Sequence, residues 1–331
     1  MRVLPVRALS ALVVLLIASS ARAVTMDWST IGDPGNACDP QPDGFYGTGC
    51  FGTVGYSYYI GTFEVTNAQY AEFLNAKAAS DPLGLFNPGV SGPSLGGIAR
   101  SGSDGSYTYT PIAGRENMPV SYVSFDDALR FANWMNNGQG NGDTETGAYT
   151  LLGGTQLPSN WDTVYRNPGA TIALTSDDEW FKAAYYNPLS SSYYDYATAS
   201  DAETICSAPS TMANRANCDN AVGDLTNVGS YTSSASPYGT FDQAGNVFEW
   251  DEFGIRDGTT HVRFFRGGNL FAPAYDTAAW ATAGDQEDDD DFAIAGFRLV
   301  QIPGGYIPEP STGLLVVAGI LGLAGWRRVN A

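Results

Sequence analysis

Tyr238-Gly239-Thr240-Phe241-Asp242-Gln243-Ala244-Gly245-Asn246-Val247-Phe248-Glu249-Trp250 is the stretch around which the rest of the chain can be arranged. It opens with turn formers and closes on residues 247–250, which read as a strand. Further strand-like pieces follow at 262–266 and 296–301. Another precedes at 56–60, and Phe63-Glu64-Val65 continues its alternation. Three helices are predicted between these strands. Thr66 caps the first, over 67–78, where Tyr70, Phe73 and Leu74 fall at helical spacing. Ser124 caps the second; Asp126 and Asp127 complement its dipole, and Ala128, Phe131, Ala132 and Met135 form its apolar face. The third covers 177–186, with Trp180, Phe181 and Ala184 inward, and Asn187-Pro188 stops it. Residues 79–117, 136–170 and 188–240 are rich in Gly, Ser, Pro, Asn and Thr and read as loop, and no internal repeat is visible. Few helices, short strands and long loops predict one α+β domain whose identity lies in its loops.

The ends predict a compartment. Arg2 and Arg7, an apolar run from Ala8 to Ser19 and Ala21-Arg22-Ala23 form a secretory leader over 1–23, with Val24 as the first mature residue. At the other end Pro308-Glu309-Pro310 leads into a short, almost wholly apolar run over 313–326, followed by Arg327 and Arg328, which stay cytoplasmic under the positive-inside rule. This order of motif, span and basic end resembles the PEP-CTERM sorting signal of Gram-negative bacteria. The resemblance implies handling by signal peptidase and then exosortase, a transient inner-membrane anchor over 305–331, and delivery to the cell surface or exopolysaccharide matrix. A plain C-terminal anchor is the alternative. The central domain then spans 24–304, about 280 residues, enough for a substantial core. A net charge of -19 excludes nucleic acid as a partner. Cys38, Cys50, Cys206 and Cys218 lie in two pairs, each twelve residues apart. In an oxidising compartment they read as Cys38–Cys50 and Cys206–Cys218 disulfides, although four cysteines allow three pairings.

Several segments then fall into one family's order. They are Phe63-Glu64-Val65-Thr66-Asn67; Pro119-Val120 with Val123-Ser124-Phe125; Leu174-Thr175-Ser176-Asp177-Asp178-Glu179-Trp180; the opening stretch 238–250; Phe265-Arg266-Gly267-Gly268-Asn269; and Gly296-Phe297-Arg298-Leu299. Together, over about residues 60–301, they resemble the formylglycine-generating enzyme (sulfatase-modifying factor) family. The resemblance implies a variant of the C-type lectin fold. It also implies calcium, held by Asp242, the carbonyls of Gly245 and Val247, and Glu249, hard oxygen donors of the kind Ca²⁺ takes. The alternative is a turn whose Glu249 caps backbone groups. A second calcium site falls near Asn217, the Cys218 carbonyl and Asp219 or Asn220.

The family's enzymes oxidise a substrate cysteine with copper held by two cysteines. The matching positions are Ala272 and Thr277, neither of which can bind Cu(I), so no copper is expected. The family's serine is Asn269 here, and Ile294-Ala295 replaces the usual pattern before Gly296. The only histidine, His261, supports neither an iron site nor a Ser/His/Asp triad and reads as a surface residue. The acidic run 287–291 reads as an exposed loop bordering the cleft, with a weak cation site as the alternative. Asn269, Phe271, Ala272, Tyr275 and Thr277 are the expected cleft residues. Phe271, Tyr275 and Trp280 can stack on sugar rings or pack inward, and packing is favoured for Trp280. Three functions compete: a non-catalytic surface module binding glycan or protein, an enzyme of unassigned chemistry, and a structural matrix component.

Overall fold

The structure, a computed structural model, describes residues 23–43, 47–92, 94–257, 260–285 and 294–307. The leader, the tail motif Pro308-Glu309-Pro310 with the run that follows it, and the acidic run 287–291 lie outside the described residues. Among the described residues no helix is long and apolar enough to cross a membrane.

The three predicted helices form where their caps stand. Helix α1 is Asn67–Lys77; the Thr66 hydroxyl accepts from the Gln69 amide, and the Gln69 side chain reaches back to the Thr66 N–H. Helix α2, Phe125–Asn136, starts at Ser124, whose hydroxyl accepts from the Asp127 amide. Helix α3, Asp177–Tyr185, is closed by a capping box between Ser176 and Glu179. Tyr70 and Phe73 of α1 meet Phe131 of α2 at ring distances of 5.9 and 5.3 Å, and Phe297 joins Phe131 at 5.3 Å. All four rings are buried, so this aromatic cluster forms the centre of the largest core.

Two four-stranded sheets frame that core. The first runs Trp28–Ile31, Tyr58–Gly61, Leu299–Gln301, Ile172–Leu174 and is antiparallel throughout. The second runs Ala283–Asp285, Thr260–Arg266, Phe248–Asp257, Ala295–Phe297, with its last pair parallel and a register shift between Trp250 and Gly254. The stretch expected as one strand over 296–301 is therefore cut at Arg298, because Phe297 and Leu299 belong to different sheets. Phe63-Glu64-Val65 is not a ladder strand either. The Val65 amide bonds to the Phe297 carbonyl, and the Val65 carbonyl accepts from Val120.

The expected loops hold short elements, a 3-10 turn at Trp161–Thr163 and two-residue strands at Ser192–Tyr193, Ile205–Cys206 and Arg215–Ala216, and one of them holds more. Residues 79–117 hold a 3-10 turn, Pro88–Ser91, and a hairpin of Ile98–Ser101 with Thr108–Pro111. Each hairpin strand buries a single residue, Ile98 or Tyr109, so no apolar alternation marks it in the sequence. Helix α1 holds it in place, since both ends of the Asn75 amide bond to the Tyr109 backbone.

Both disulfides pair as the spacing suggested. Cys38–Cys50 ties the hairpin of Asp39–Asp43 and Gly47–Phe51, and Cys206–Cys218 closes a loop on the buried cluster of Trp180, Phe181 and Tyr185. Two disulfides fit an oxidising, extracellular compartment. Replacing both Cys206 and Cys218 by Ser should cost about 2–3 kcal/mol, the chain-entropy value for a short loop. An unfolding titration followed by tryptophan fluorescence measures it.

Candidate functional site

The strand Thr260–Arg266 runs into Gly267 and Gly268, both left-handed, at φ +94° and +69°. A Cβ on Gly267 would lie 3.1 Å from the Gln243 carbonyl, and one on Gly268 would lie 3.2 Å from the Asp276 carbonyl, so the turn is closed by two residues without side chains. Asn269 follows, buried. Its Oδ1 accepts from the amides of Phe271 and Ala272 at 2.8 and 3.0 Å, and so it shapes the next turn. Ala272 is buried, and its carbonyl takes the Asp219 amide at 2.8 Å. Thr277 is fully buried and donates from Oγ1 to the Ala274 carbonyl at 2.7 Å. The two positions matching the family's copper cysteines thus carry a methyl group and an internally bonded hydroxyl. Beside the turn is a cavity of about 80 Å³, lined by Phe248, Phe265, Arg266, Asp276, Ala281 and Thr282 as well as the two glycines. It has room for a few waters and not for a sugar ring.

The expected cleft therefore divides into a closed floor and an outer surface. Asn269, Ala272 and Thr277 are in the floor. Phe271, Tyr275 and Trp280 stand outside on the same segment, 46%, 58% and 37% exposed. Trp280 does two things, because one edge packs on Tyr196 at 5.8 Å while much of the indole stays open. His261 lies in the backbone pairing of Thr260–Arg266 opposite Arg256, and its side chain is outside the described ones.

The two segments linked to calcium by resemblance do come together. Asn217 and Gly245 form a backbone bridge, and only glycine fits there, since a Cβ on Gly245 would lie 2.2 Å from the Asn217 carbonyl. Val247 is buried beside them, while Asp219 has an exposed side chain. Glu249, however, is already engaged. Its Oε1 accepts from Arg298 Nη2 at 2.6 Å, and its Oε2 accepts from Arg298 Nε at 2.5 Å and from Trp180 Nε1 at 2.7 Å. Asp242 Oδ2 accepts from the Gly229 amide at 2.5 Å, and burial pushes this carboxyl up to about 6. Among the described residues no three Asp, Glu, His or Cys side chains are grouped to hold a metal ion. With Glu249 clamped by a guanidinium, the set of Asp242, Gly245, Val247 and Glu249 does not fit calcium in this arrangement. The thermal midpoint is accordingly expected to be the same in EDTA and in millimolar Ca²⁺. A rise of several degrees with Ca²⁺ would show that Arg298 yields Glu249 to the ion.

Two buried ionic groups had no signal in the sequence. One is the Arg298–Glu249 pair. Arg298 also donates to the Gly61 and Phe241 carbonyls at 2.9 and 3.0 Å, and so joins the first sheet, the second sheet and the loop before Asp242. The other centres on Arg166, in a stretch expected as loop. It bonds bidentately to Glu179 at 2.9 and 2.7 Å and to Glu252 at 2.8 Å, while Tyr56 and Tyr149 donate to the same two carboxylates. Burial alone would raise Glu179, but the Arg166 charge and hydrogen bonds hold it below the usual carboxylate range. A cavity of about 560 Å³ lies over this network, and Asp178 is on its wall.

Asp178 Oδ1 accepts from the Gly52 amide at 2.7 Å, and burial pushes its carboxyl up to about 6. An acid with a raised folded pKa binds its proton more tightly when native. Its contribution to stability therefore grows as pH falls through about 6 and is complete once pH falls below the unfolded value, about 3.9. The stability gap between the protein and Asp178→Asn should move by on the order of 1–2 kcal/mol between pH 7.5 and 4.5. Urea titrations of both proteins at the two pH values measure it.

A model of the sulfatase-modifying factor enzyme 1-like domain matches residues 53–302. No curated protein sequence matches the chain. Among solved structures, Treponema denticola variable protein 1 is 18% identical, with a TM-score of 0.53 over 85% of this chain and 97% of that one. CarF is 19% identical, with a TM-score of 0.53 over 84% of this chain and 98% of that one. Both likenesses show the fold, which is the α+β, C-type-lectin-like variant expected from the motifs.

Proposed function

The chain belongs to the family of the sulfatase-modifying factor enzyme 1-like domain, and from that premise we propose that it is an exported surface or exopolysaccharide-associated protein whose domain binds a glycan instead of performing copper chemistry. One observation carries the reading. The chain has four cysteines, and all four are consumed in Cys38–Cys50 and Cys206–Cys218. No thiol is left for Cu(I), and the buried Ala272 and Thr277 supply none.

What remains at that place is a rigid turn presenting aromatic faces. Phe271, Tyr275 and Trp280 offer flat apolar surface to sugar rings, and large rings at a surface carry much of the energy of recognition. The charge of -19 disfavours anionic polysaccharides and selects neutral or basic ones. Delivery follows from the ends: a leader over 1–23 removed by signal peptidase, and a PEP-CTERM tail over 305–331 with Pro308-Glu309-Pro310 read by exosortase. Glycan-array screening of the leader-free protein in detergent, with Ca²⁺ and with EDTA, tests the reading. Binding to neutral glycans is expected in both conditions, and absence of binding in both sinks it.

A further inference from the structure

The start of the described chain is held in an unusual way. The Val24 amide donates to Gln139 Oε1 at 2.6 Å, and Gln139 Nε2 donates back to the Val24 carbonyl at 2.8 Å. Val24 is buried, and the next carbonyl, that of Thr25, takes Gln69 Nε2 at 2.9 Å. Gln139 is itself fixed. It sits in the left-handed region at φ +66°, just past α2, with its amide on the Trp134 carbonyl and its carbonyl taking the Gly142 amide. A non-glycine residue in that conformation is costly unless its surroundings require it.

The space beside this clasp has one sign of charge. A cavity of about 380 Å³ is lined by residues 23–27 and by Phe63, Glu64, Glu72 and Asn117 among others. Among the described residues its lining carries Asp27, Glu64 and Glu72 and no Lys, Arg or His. Burial, with Asp242 and Glu249 nearby, raises Glu64 well above the usual carboxylate range, so Asp27 and Glu72 supply the charge. The Oε2 of Glu64, in its wall, is buried without a hydrogen-bond partner. A polar cavity with a surplus of carboxylates, next to a backbone N–H already held by an amide oxygen, is suited to a cation that forms at that nitrogen.

We propose that this cavity is a receiver for the chain's own α-ammonium group, created when the Ala23–Val24 bond is cut. The proposal rests on the leader reading given above. Hydrolysis of that amide adds one water, and Ala23 leaves as a carboxylate while Val24 N becomes an ammonium. One of its N–H donors stays on Gln139 Oε1, and the others serve the acidic cavity that Val24 lines. Export thereby adds a charged anchor to the start of the strand Trp28–Ile31, an edge of the first sheet, beyond the bonds from Gln139 and Gln69 that already hold it.

Acetic anhydride at neutral pH tests this, with the acetylated position read by mass spectrometry. A chain made to begin at Val24 and run to its natural end, in detergent, should acetylate at Val24 at least tenfold more slowly than a peptide of residues 24–30. A chain carrying Ala23 in front should acetylate at the peptide rate, and Gln139→Met in the Val24 chain should speed the reaction about tenfold. Equal rates for the Val24 chain and the peptide overturn the proposal, as does indifference to both changes. The N-terminal mass of the exported protein separates the two readings. A start other than Val24 sinks the leader boundary, and the made Val24 chain still decides the receiver.

Discussion

Arg298→Met should cost the protein about 3–5 kcal/mol, the range for removing one partner of a buried ion pair. The substitution preserves much of the side chain's apolar volume, so the loss isolates the guanidinium. Without it Glu249, fully buried, keeps only the Trp180 indole as a donor, and the Gly61 and Phe241 carbonyls lose theirs. An uncompensated carboxylate in that position is costly even after it takes up a proton, because its oxygens are left short of donors. For a domain of this size the thermal midpoint should fall by roughly 10 °C. Arg298→Lys keeps the charge but loses the planar fork that bridges both oxygens of Glu249, so it should fall between the two. Scanning calorimetry of the three proteins measures the series. A fall of only one or two degrees for Arg298→Met would mean that the two sheets are held together elsewhere.

The largest functional effect should come from replacing Phe271 and Tyr275 together by Ala. Both rings are exposed on a segment whose backbone is fixed by Asn269 and by the bond from Asp219 to the Ala272 carbonyl. Their removal should leave the thermal midpoint within about a degree, since exposed side chains contribute little to stability. Affinity for the glycan found by array should fall on the order of 100-fold, about 3 kcal/mol, as expected when two aromatic anchors are lost together. Isothermal titration measures both affinities. The separation matters, because loss of binding along with loss of stability would point to damage and not to contact.

The helices were legible because each carries its own local signal. Thr66 and Ser124 are capping residues followed by the right spacing of apolar groups, while the third helix is legible from its inward residues and its Asn187-Pro188 stop, and Ser176 proves to cap it. The cysteine pairs were legible for a similar reason, since short separations in turn-rich sequence leave little else for them to do. The hairpin from Ile98 to Pro111 was hidden because only Ile98 and Tyr109 face inward. The division at Arg298 was hidden because a chain that passes from one sheet to the next without a turn reads as a single strand. The ionic groups around Arg298 and Arg166 join residues up to 237 positions apart, and no local pattern can announce such partners. The aromatic segment was visible as composition. That Phe271 and Tyr275 stand outward while Ala272 and Thr277 close the floor depends on the turn at Gly267 and Gly268.

This chain keeps the family's scaffold, and its four cysteines are all paired in disulfides. The most direct measurement is an anaerobic Cu(I) titration against a chelator, followed by exposure to oxygen with a cysteine-containing substrate peptide and mass analysis of the product. The leader-free protein should retain no copper against the chelator and return the peptide unchanged. One Cu(I) held per chain, together with an aldehyde on the peptide, would contradict it.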